Sequence, residues 1–257
     1  MSATDLPWLQ PDWPAPANVR VGVTTRLGGV STAPYGTLNL GDHVGDDVAS
    51  VAANRARVRA CLPAEPFWLQ QVHGTTVARL DDAEAARVAD AAVASTPGRV
   101  CVVMTADCLP VLLCNRAGTA VGAAHAGWRG LADGVLEATV AAMGTAPSEL
   151  LAWFGPAIGP TAFEVGDEVR ATFIAHTAEA AQAFRPGRIA GKWWADLYLL
   201  ARQRLATLGV QSIHGGDLCT VSDAERFFSY RRDGITGRMA SLIWLDAGSE
   251  PAAPSNG

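Results

Sequence analysis

The chain has 257 residues, of which 49% are hydrophobic and 18% charged, and its formal net charge is −5 at pH 7. A chain of this length buries enough apolar surface to fold without disulfides or a structural metal, and the absence of a basic stripe argues against nucleic-acid binding. Because Lys192 is the only lysine, we expect anions to be held by arginine or by backbone N–H groups rather than by a Walker A lysine.

The sequence also predicts a compartment. Its five cysteines include no CxxC pair, and an odd number argues against a disulfide framework and for a reducing environment. The N-terminus lacks the basic region and apolar run of a signal peptide. The longest apolar stretch, 100–114, is interrupted by Asp107 and Pro110 and is too short to span a bilayer. We therefore expect a cytoplasmic protein.

Residues 1–17 contain four prolines and predict an extended lead-in, whereas the small, polar residues 247–257 predict a flexible tail. Residues 18–246 between them are predicted to form a single domain. Apolar runs predict strands at 19–25, 67–72, 100–105, 111–114, 120–124, 150–154 and 241–244. Three- and four-residue spacing predicts helices at 47–61, 131–143, 165–175 and 196–208. Because strands and helices do not alternate regularly, we expect an α+β or mixed-sheet fold rather than a doubly wound parallel sheet.

Three segments share one form, an apolar strand that runs into a small polar cluster. Each segment places a potential soft-metal ligand at or just beyond a strand end, namely His73, Cys108 and His125. Strand ends allow a rigid scaffold to direct side chains from distant segments into one cleft. A thiolate with two imidazoles suits zinc, and three protein ligands with an open fourth position are typical of catalytic zinc. The pattern therefore predicts a zinc-dependent active site.

Each of these ligands has a simpler interpretation when it is taken alone. A lone cysteine beside apolar strands is usually a small core residue, and this is our interpretation of the other four cysteines. Cys108 differs from them because Asp107 and Pro110 place it in a turn. His73 and His125 would each be structural about half the time. The prediction therefore depends on the three residues together.

Two further clusters are candidates for anion binding. Residues 127–130, with sequence GWRG, precede a predicted helix, and their glycines allow the backbone to approach a ligand near Arg129. Structural packing is about twice as common for such a turn. In the second cluster, Arg231 and Arg232 would point to opposite faces of a strand. One of them could reach a phosphate, although a solvated pair is an equally good interpretation.

Nine segments in order along the chain form a more specific combination. They are TTRLGGVS (24–31), PYGTLNLGDHVGDD (34–47), QQVHG, ADAAV (89–93), TADCLPVLL, AAHAGWRG, GPAIGPTAFEVGDEV, DLCT (217–220) and FFSYRRDGITGRMASLIWL. With these segments, the chain closely resembles the laccase-domain family of purine nucleoside phosphorylases, the YfiH-like proteins, some of which are described as polyphenol oxidases. No single segment is specific, but together they cover nearly the whole predicted domain.

The resemblance implies a zinc ion held by His73, Cys108 and His125, the three residues already found at the strand ends. It implies phosphorolysis of purine nucleosides (adenosine, inosine, guanosine and methylthioadenosine) and hydrolytic deamination of adenosine. The fold it implies is a mixed α/β sandwich, related to that of a bacterial cysteine-dependent deamidase toxin.

This chemistry assigns roles to four more residues. We expect Arg232 and Arg26, together with Arg129, to hold phosphate, because the fork of an arginine suits an anion. Asp107, next to the cysteine ligand, is expected to orient a ligand or to relay a proton. The partners expected are small nucleosides and phosphate, with no nucleic acid and no membrane, and the protein is expected to be a monomer.

Three other functions use the same residues. A copper oxidase is the first, because two histidines and a cysteine, with Met104 as axial ligand, resemble a blue-copper set. The three remaining histidines are, however, too few for the multi-copper cluster of a laccase. The second is a metal-free hydrolase with Cys108 as nucleophile and His125 or His73 as base. The third is a non-enzymatic module that binds a nucleoside.

Overall fold

The computed structural model describes residues 6–248, so residues 1–5 of the predicted lead-in and 249–257 of the predicted tail lie outside the described part. The strands are β1 (Val19–Val23), β2 (Val77–Arg79), β3 (Ala91–Ala94), β4 (Cys101–Thr105), β5 (Leu109–Asn115), β6 (Val121–Ala126), β7 (Leu150–Phe154), β8 (Glu164–Gly166), β9 (Phe184–Pro186), β10 (Lys192–Ala195), β11 (Ser212–Gly215) and β12 (Met239–Leu245). The α-helices are α1 (Val48–Arg59), α2 (Trp128–Asp133), α3 (Val135–Ala142), α4 (Asp167–His176), α5 (Leu197–Leu208) and α6 (Tyr230–Asp233).

A six-stranded mixed sheet organises the domain, with strand order β11-β7-β5-β6-β3-β2. The outer pairs β11/β7 and β2/β3 are parallel, whereas β7/β5, β5/β6 and β6/β3 are antiparallel. Two antiparallel three-stranded sheets, β1-β12-β4 and β8-β10-β9, complete the architecture. The expected mixed-sheet α/β fold is therefore confirmed.

Both faces of the central sheet are covered. Along β5, Leu109, Val111 and Leu113 belong to one hydrophobic cluster, which also contains residues of α3 and α5. Leu112 and Cys114 belong to a second cluster, which contains residues of β4 and β12. Since alternate side chains of a strand point to opposite faces, the strand lies between a helical layer and a second sheet. This explains why its sequence is almost continuously apolar.

Two helix ends carry local signals that are visible in the sequence. Asp47 caps α1 by accepting a hydrogen bond from the Ser50 N–H at 2.8 Å. The helix α5 ends at Gly209, which adopts the left-handed conformation with φ 95° and allows the chain to turn away. The single helix predicted over 131–143 is wrong in two respects, because the helical segment already begins at Trp128 and is then divided. Gly134, with φ 103°, divides it into α2 and α3.

Two further predicted elements differ from the structure. Residues 67–72 form only isolated bridges, at Phe67 and Gln70. The backbone of Met104 pairs with the side-chain amide of Gln71 instead, because the amide nitrogen donates to the Met104 carbonyl oxygen at 2.8 Å and the amide oxygen accepts from the Met104 N–H at 2.7 Å. The strand alternation expected around Arg231 and Arg232 is also wrong. These residues lie in the helical turn α6.

None of the helices formed by residues 6–248 combines the length and the apolar character that crossing a lipid bilayer requires.

Candidate active site

The three predicted ligands converge at one end of the central sheet. Cys108 lies between β4 and β5, and His125 lies near the end of β6, opposite Pro110 of the neighbouring strand. His73 comes from the loop between residues 67–72 and β2. One nitrogen of each imidazole and the Cys108 sulfur all lie within 4.8 Å of one another. The antiparallel β5/β6 pair thus places two of the ligands side by side, and the third approaches from a separate segment.

The backbone is strained on both sides of this cluster. His73 and Asp107 have φ of 61° and 94°, and they are the only non-glycine residues in the described part of the chain with positive φ. Such conformations persist only where surrounding contacts hold them, and they cluster at functional sites. The Asp107 carboxylate provides one such contact, because it accepts hydrogen bonds from the Thr220 hydroxyl and the Arg231 N–H, both at 2.6 Å.

Gly127 is required by the packing of the ligands. A Cβ atom at this position would lie 2.8 Å from His73 Cδ2 and 3.0 Å from the Cys108 sulfur. Gly130, one turn later, passes similarly close to the loop that carries His73, because a Cβ there would lie 2.9 Å from the Gly74 carbonyl oxygen. The glycines expected to allow close approach to a ligand thus allow close approach to the ligating side chains.

The buried Asp90, which no sequence pattern marks as functional, connects two of the ligands. Its carboxylate accepts hydrogen bonds from the N–H groups of Val72, His73 and Gly74 at 3.1, 2.9 and 2.7 Å. It also lies 2.9 Å from His125 Nδ1. An N–H donated from Nδ1 leaves the lone pair of Nε2 for a metal, an arrangement common among metal-binding histidines. Asp90 therefore fixes both the backbone of one ligand and the tautomer of another.

The electrostatics of the site favour a thiolate. Although burial opposes ionisation, the charge of His125 and hydrogen bonds from His125 and His73 lower the pKa of the Cys108 thiol to about 6. Burial would lower the pKa of His125, but the Cys108 thiolate and the Asp90 carboxylate raise it to about 9. A thiolate is the form of cysteine that binds metals.

The distance between Cys108 and His73 agrees with zinc coordination. Zn–S distances of about 2.3 Å and Zn–N distances of about 2.0–2.1 Å at a tetrahedral angle place sulfur and nitrogen about 3.6 Å apart. The Cys108 sulfur lies 3.7 Å from His73 Nε2. In the described part of the chain, this is the one group of three histidine, cysteine or carboxylate side chains arranged to hold a metal ion.

The cluster opens into a cleft of about 1060 Å³. That volume lies at the upper end of the range for small-molecule sites. Its lining contains aromatic surfaces suited to a planar ligand, namely Trp68, Trp128, Phe163 and Tyr230. It also contains five arginines, namely Arg55, Arg87, Arg129, Arg231 and Arg238. Asp107 lies in the same lining, beside the ligands.

The structure brings only one of the three expected phosphate-binding arginines into the cleft lining, Arg129. Arg232 is directed elsewhere, since its guanidinium donates hydrogen bonds to the carbonyl oxygens of Thr220, Val221 and Phe227. Arg26 donates to the carbonyl oxygens of Gly36 and Ala224. The side chains of Arg232 and Arg26 therefore connect backbone segments by hydrogen bonds.

Residues 20–246 match the family described as multi-copper polyphenol oxidoreductase laccase. The chain is 59% identical to a purine nucleoside phosphorylase of Pseudomonas aeruginosa, over 93% of this chain and 98% of that protein. It is 58% identical to the purine nucleoside phosphorylase YfiH of Escherichia coli, over 91% and 97% of the two chains. A solved structure of a Neisseria meningitidis protein of the family DUF152 superposes with a TM-score of 0.88 at 54% identity, over 93% and 99% of the two chains.

A second solved structure, YlmD from Geobacillus stearothermophilus, superposes with a TM-score of 0.86 at 33% identity, over 93% of this chain and 96% of that one. The family match over residues 20–246 spans the central sheet and the positions of His73, Cys108 and His125. The chain is therefore a member of the laccase-domain family, to which the YfiH-like purine nucleoside phosphorylases belong.

Proposed function

We propose that the protein is a zinc-dependent purine nucleoside phosphorylase whose zinc ligands are His73, Cys108 and His125. The observation that carries the proposal is the convergence of these three ligand atoms, within 4.8 Å of one another, in a cleft large enough for a nucleoside. The names of relatives at 58–59% identity support the same activity. The substrates we propose are adenosine, inosine, guanosine and methylthioadenosine, together with inorganic phosphate.

When bound, zinc supplies a Lewis acid that stabilises negative charge on an oxygen atom in the cleft. The protein's own residues position the reactants around it. Asp90 holds His125 and the loop of His73 in place through four hydrogen bonds. Asp107 acts as a positioning residue, because its carboxylate joins the loop that carries Cys108 to α6 through the Arg231 N–H.

Phosphorolysis requires an oxygen of phosphate to approach C1′ of the ribose as the bond from C1′ to the purine nitrogen breaks. The electron pair of that bond leaves with the purine, which then takes a proton from solvent, and the sugar is released as its 1-phosphate. The aromatic lining, including Trp68 and Tyr230, supports stacking of the base. Arginines of the lining, including Arg129 and Arg238, support binding of the anion and take the role expected of Arg26 and Arg232.

We also propose hydrolytic deamination of adenosine at the same centre. Three protein ligands are typical of catalytic rather than structural zinc, and the exposed His73 borders the cleft. Zinc held by His73, Cys108 and His125 would supply a Lewis acid for water as well as for phosphate. We place both activities in the cytoplasm, since Cys101, Cys108, Cys114 and Cys219 are unbonded thiols and such thiols are typical of a reducing compartment. We expect the protein to act there as a monomer.

The family description favours one alternative, a copper-dependent polyphenol oxidase. A laccase would need a second cluster of copper ligands, and residues 6–248 contain only one suitable group. A metal-free hydrolase that uses Cys108 and a histidine is the other alternative, supported by their 3.7 Å contact.

The experiment is metal analysis of the purified protein, with adenosine turnover measured in the presence and absence of phosphate. Zinc in the protein and release of adenine only with phosphate would support phosphorolysis, and inosine without phosphate would support deamination. Blue absorbance with oxygen consumption on phenols would favour the oxidase. Alkylation of Cys108 that a chelator does not enhance would favour the hydrolase.

A further inference from the structure

Arg238 is a half-buried cation that faces the cleft without a carboxylate partner. Its Nη1 donates hydrogen bonds to the carbonyl oxygens of Thr236 and Gly237 at 3.0 and 3.1 Å. Among residues 6–248, no carboxylate oxygen lies within 4.0 Å of the guanidinium, and no hydrogen bond is formed by Nε or Nη2. The other half of the arginine fork is therefore available to a ligand.

The position of this side chain is fixed by packing. A Cβ atom at Gly41 would lie 2.9 Å from Arg238 Cγ, so the aliphatic part of Arg238 is packed closely against the backbone of Gly41. The two carbonyl contacts then hold the guanidinium itself. Little side-chain entropy remains to be lost when an anion binds, and such preorganisation strengthens binding.

Arg238 lines the same cleft as the metal ligands. Burial lowers the pKa of Arg238, and the negative charges of Cys108 and Asp107 oppose this change. The Asp107 carboxylate is already occupied by the Thr220 hydroxyl and the Arg231 N–H. Arginine stays charged under these conditions, and a desolvated charge without a partner is unfavourable. The site therefore calls for an anion from the cleft.

The other arginines of the lining contact carboxylate, carbonyl or aromatic groups of the protein. Arg55 lies 3.2 Å from an Asp42 carboxylate oxygen and stacks on Trp68. Arg231 donates to the carbonyl oxygens of Ala162 and Glu164. Arg87 and Arg129 lie over the rings of Phe67 and Trp128.

We propose that Arg238 anchors the phosphate in the cleft, with Nε and Nη2 binding two of its oxygens. This inference rests on the proposed phosphorolysis and identifies the residue that selects phosphate for it. Arg238 neither gains nor loses a proton in the reaction. It orients the attacking oxygen and offsets the charge of the anion beside the Cys108 thiolate.

The test compares Arg238→Met and Arg238→Lys with Arg20→Met, a control that removes an exposed arginine paired with Asp246. Phosphorolysis of adenosine is measured at varied phosphate and at varied adenosine, together with zinc content. We expect Arg238→Met to raise the KM for phosphate at least 10-fold and to lower kcat/KM for phosphate about 100- to 1000-fold, with the KM for adenosine changed less than threefold. Arg238→Lys keeps the charge but not the fork, so its KM for phosphate should lie between those of the wild type and Arg238→Met. An unchanged KM for phosphate in Arg238→Met would overturn the inference.

A binding measurement separates this inference from the proposed function. Inorganic phosphate should raise the thermal midpoint of the wild type and of Arg20→Met, because a ligand of the folded state stabilises it, but not that of Arg238→Met. The same shifts in thermal midpoint are expected even if the wild type releases no adenine. Failure to release adenine would refute the proposed phosphorolysis but not phosphate binding by Arg238. An equal rise in all three proteins, or no rise in the wild type, would overturn the assignment of Arg238.

Discussion

Asp90→Asn tests whether one buried carboxylate organises the metal centre. The wild-type carboxylate is fully buried and faces four donors, namely three backbone N–H groups and His125 Nδ1. Asparagine keeps one acceptor oxygen and turns an NH₂ group towards this ring of donors. At least two hydrogen bonds are then lost, and each buried donor left without an acceptor costs about 1–3 kcal/mol. The free energy of unfolding should therefore fall by roughly 2–6 kcal/mol.

The same substitution should weaken metal binding, because His125 loses the acceptor that fixes its tautomer. Removal of such a partner typically lowers metal affinity about 10- to 100-fold. Urea unfolding of the metal-free protein measures the first effect, and competition with a chelator for zinc measures the second. Asp246→Asn, which alters an exposed ion pair with Arg20, is the control and should leave zinc affinity unchanged. Wild-type stability and wild-type zinc affinity in Asp90→Asn would refute the role of Asp90.

Two further predictions concern other parts of the chain. Gly127→Ala should lower zinc affinity and nucleoside turnover together, because the added methyl group would lie 2.8 Å from His73 and 3.0 Å from Cys108. The circular dichroism spectrum should stay native. An alanine variant with wild-type zinc affinity would contradict this prediction. Burial opposes ionisation of Asp81, but hydrogen bonds from Ser95 and Thr96 lower the pKa of its carboxyl group. The Asp81 carboxylate therefore stabilises the folded protein above the unfolded-state pKa, and this stabilisation is lost as the pH falls through the folded-state pKa. The free energy of unfolding of Asp81→Asn should therefore be about 1 kcal/mol lower than that of the wild type at pH 7, at this solvent-screened site. Urea titrations at acid pH should show this difference disappear. A difference that does not change with pH would contradict the role given to the Asp81 carboxylate.

The metal ligands could be predicted from the sequence because each is marked locally. His73, Cys108 and His125 all follow apolar runs, and the structure brings them together where those runs end. The apolar stretches 100–105 and 150–154 likewise predicted strands, and both are confirmed as β4 and β7. Hydrophobic periodicity carries such information within a few residues.

The residues that support the site could not be predicted in this way. Asp90 looks like an ordinary acidic residue before a strand, and its role depends on a loop 16–18 residues earlier and on His125, 35 residues later. Which arginine reaches the cleft depends on the direction of its side chain. Arg232 turns away from the cleft because α6 is helical, whereas Arg238 faces the cleft just before β12. Long-range contacts of this kind leave no periodic signal.

The central claim, that one zinc ion bound by three residues supports phosphorolysis, is tested most directly by metal analysis of the wild type and of Cys108→Ala. The claim predicts one zinc per wild-type chain, and in the variant it predicts loss of both the zinc and the phosphate-dependent release of adenine. A variant that lacks zinc and still releases adenine at the wild-type rate, or a wild type that binds copper instead, would contradict it.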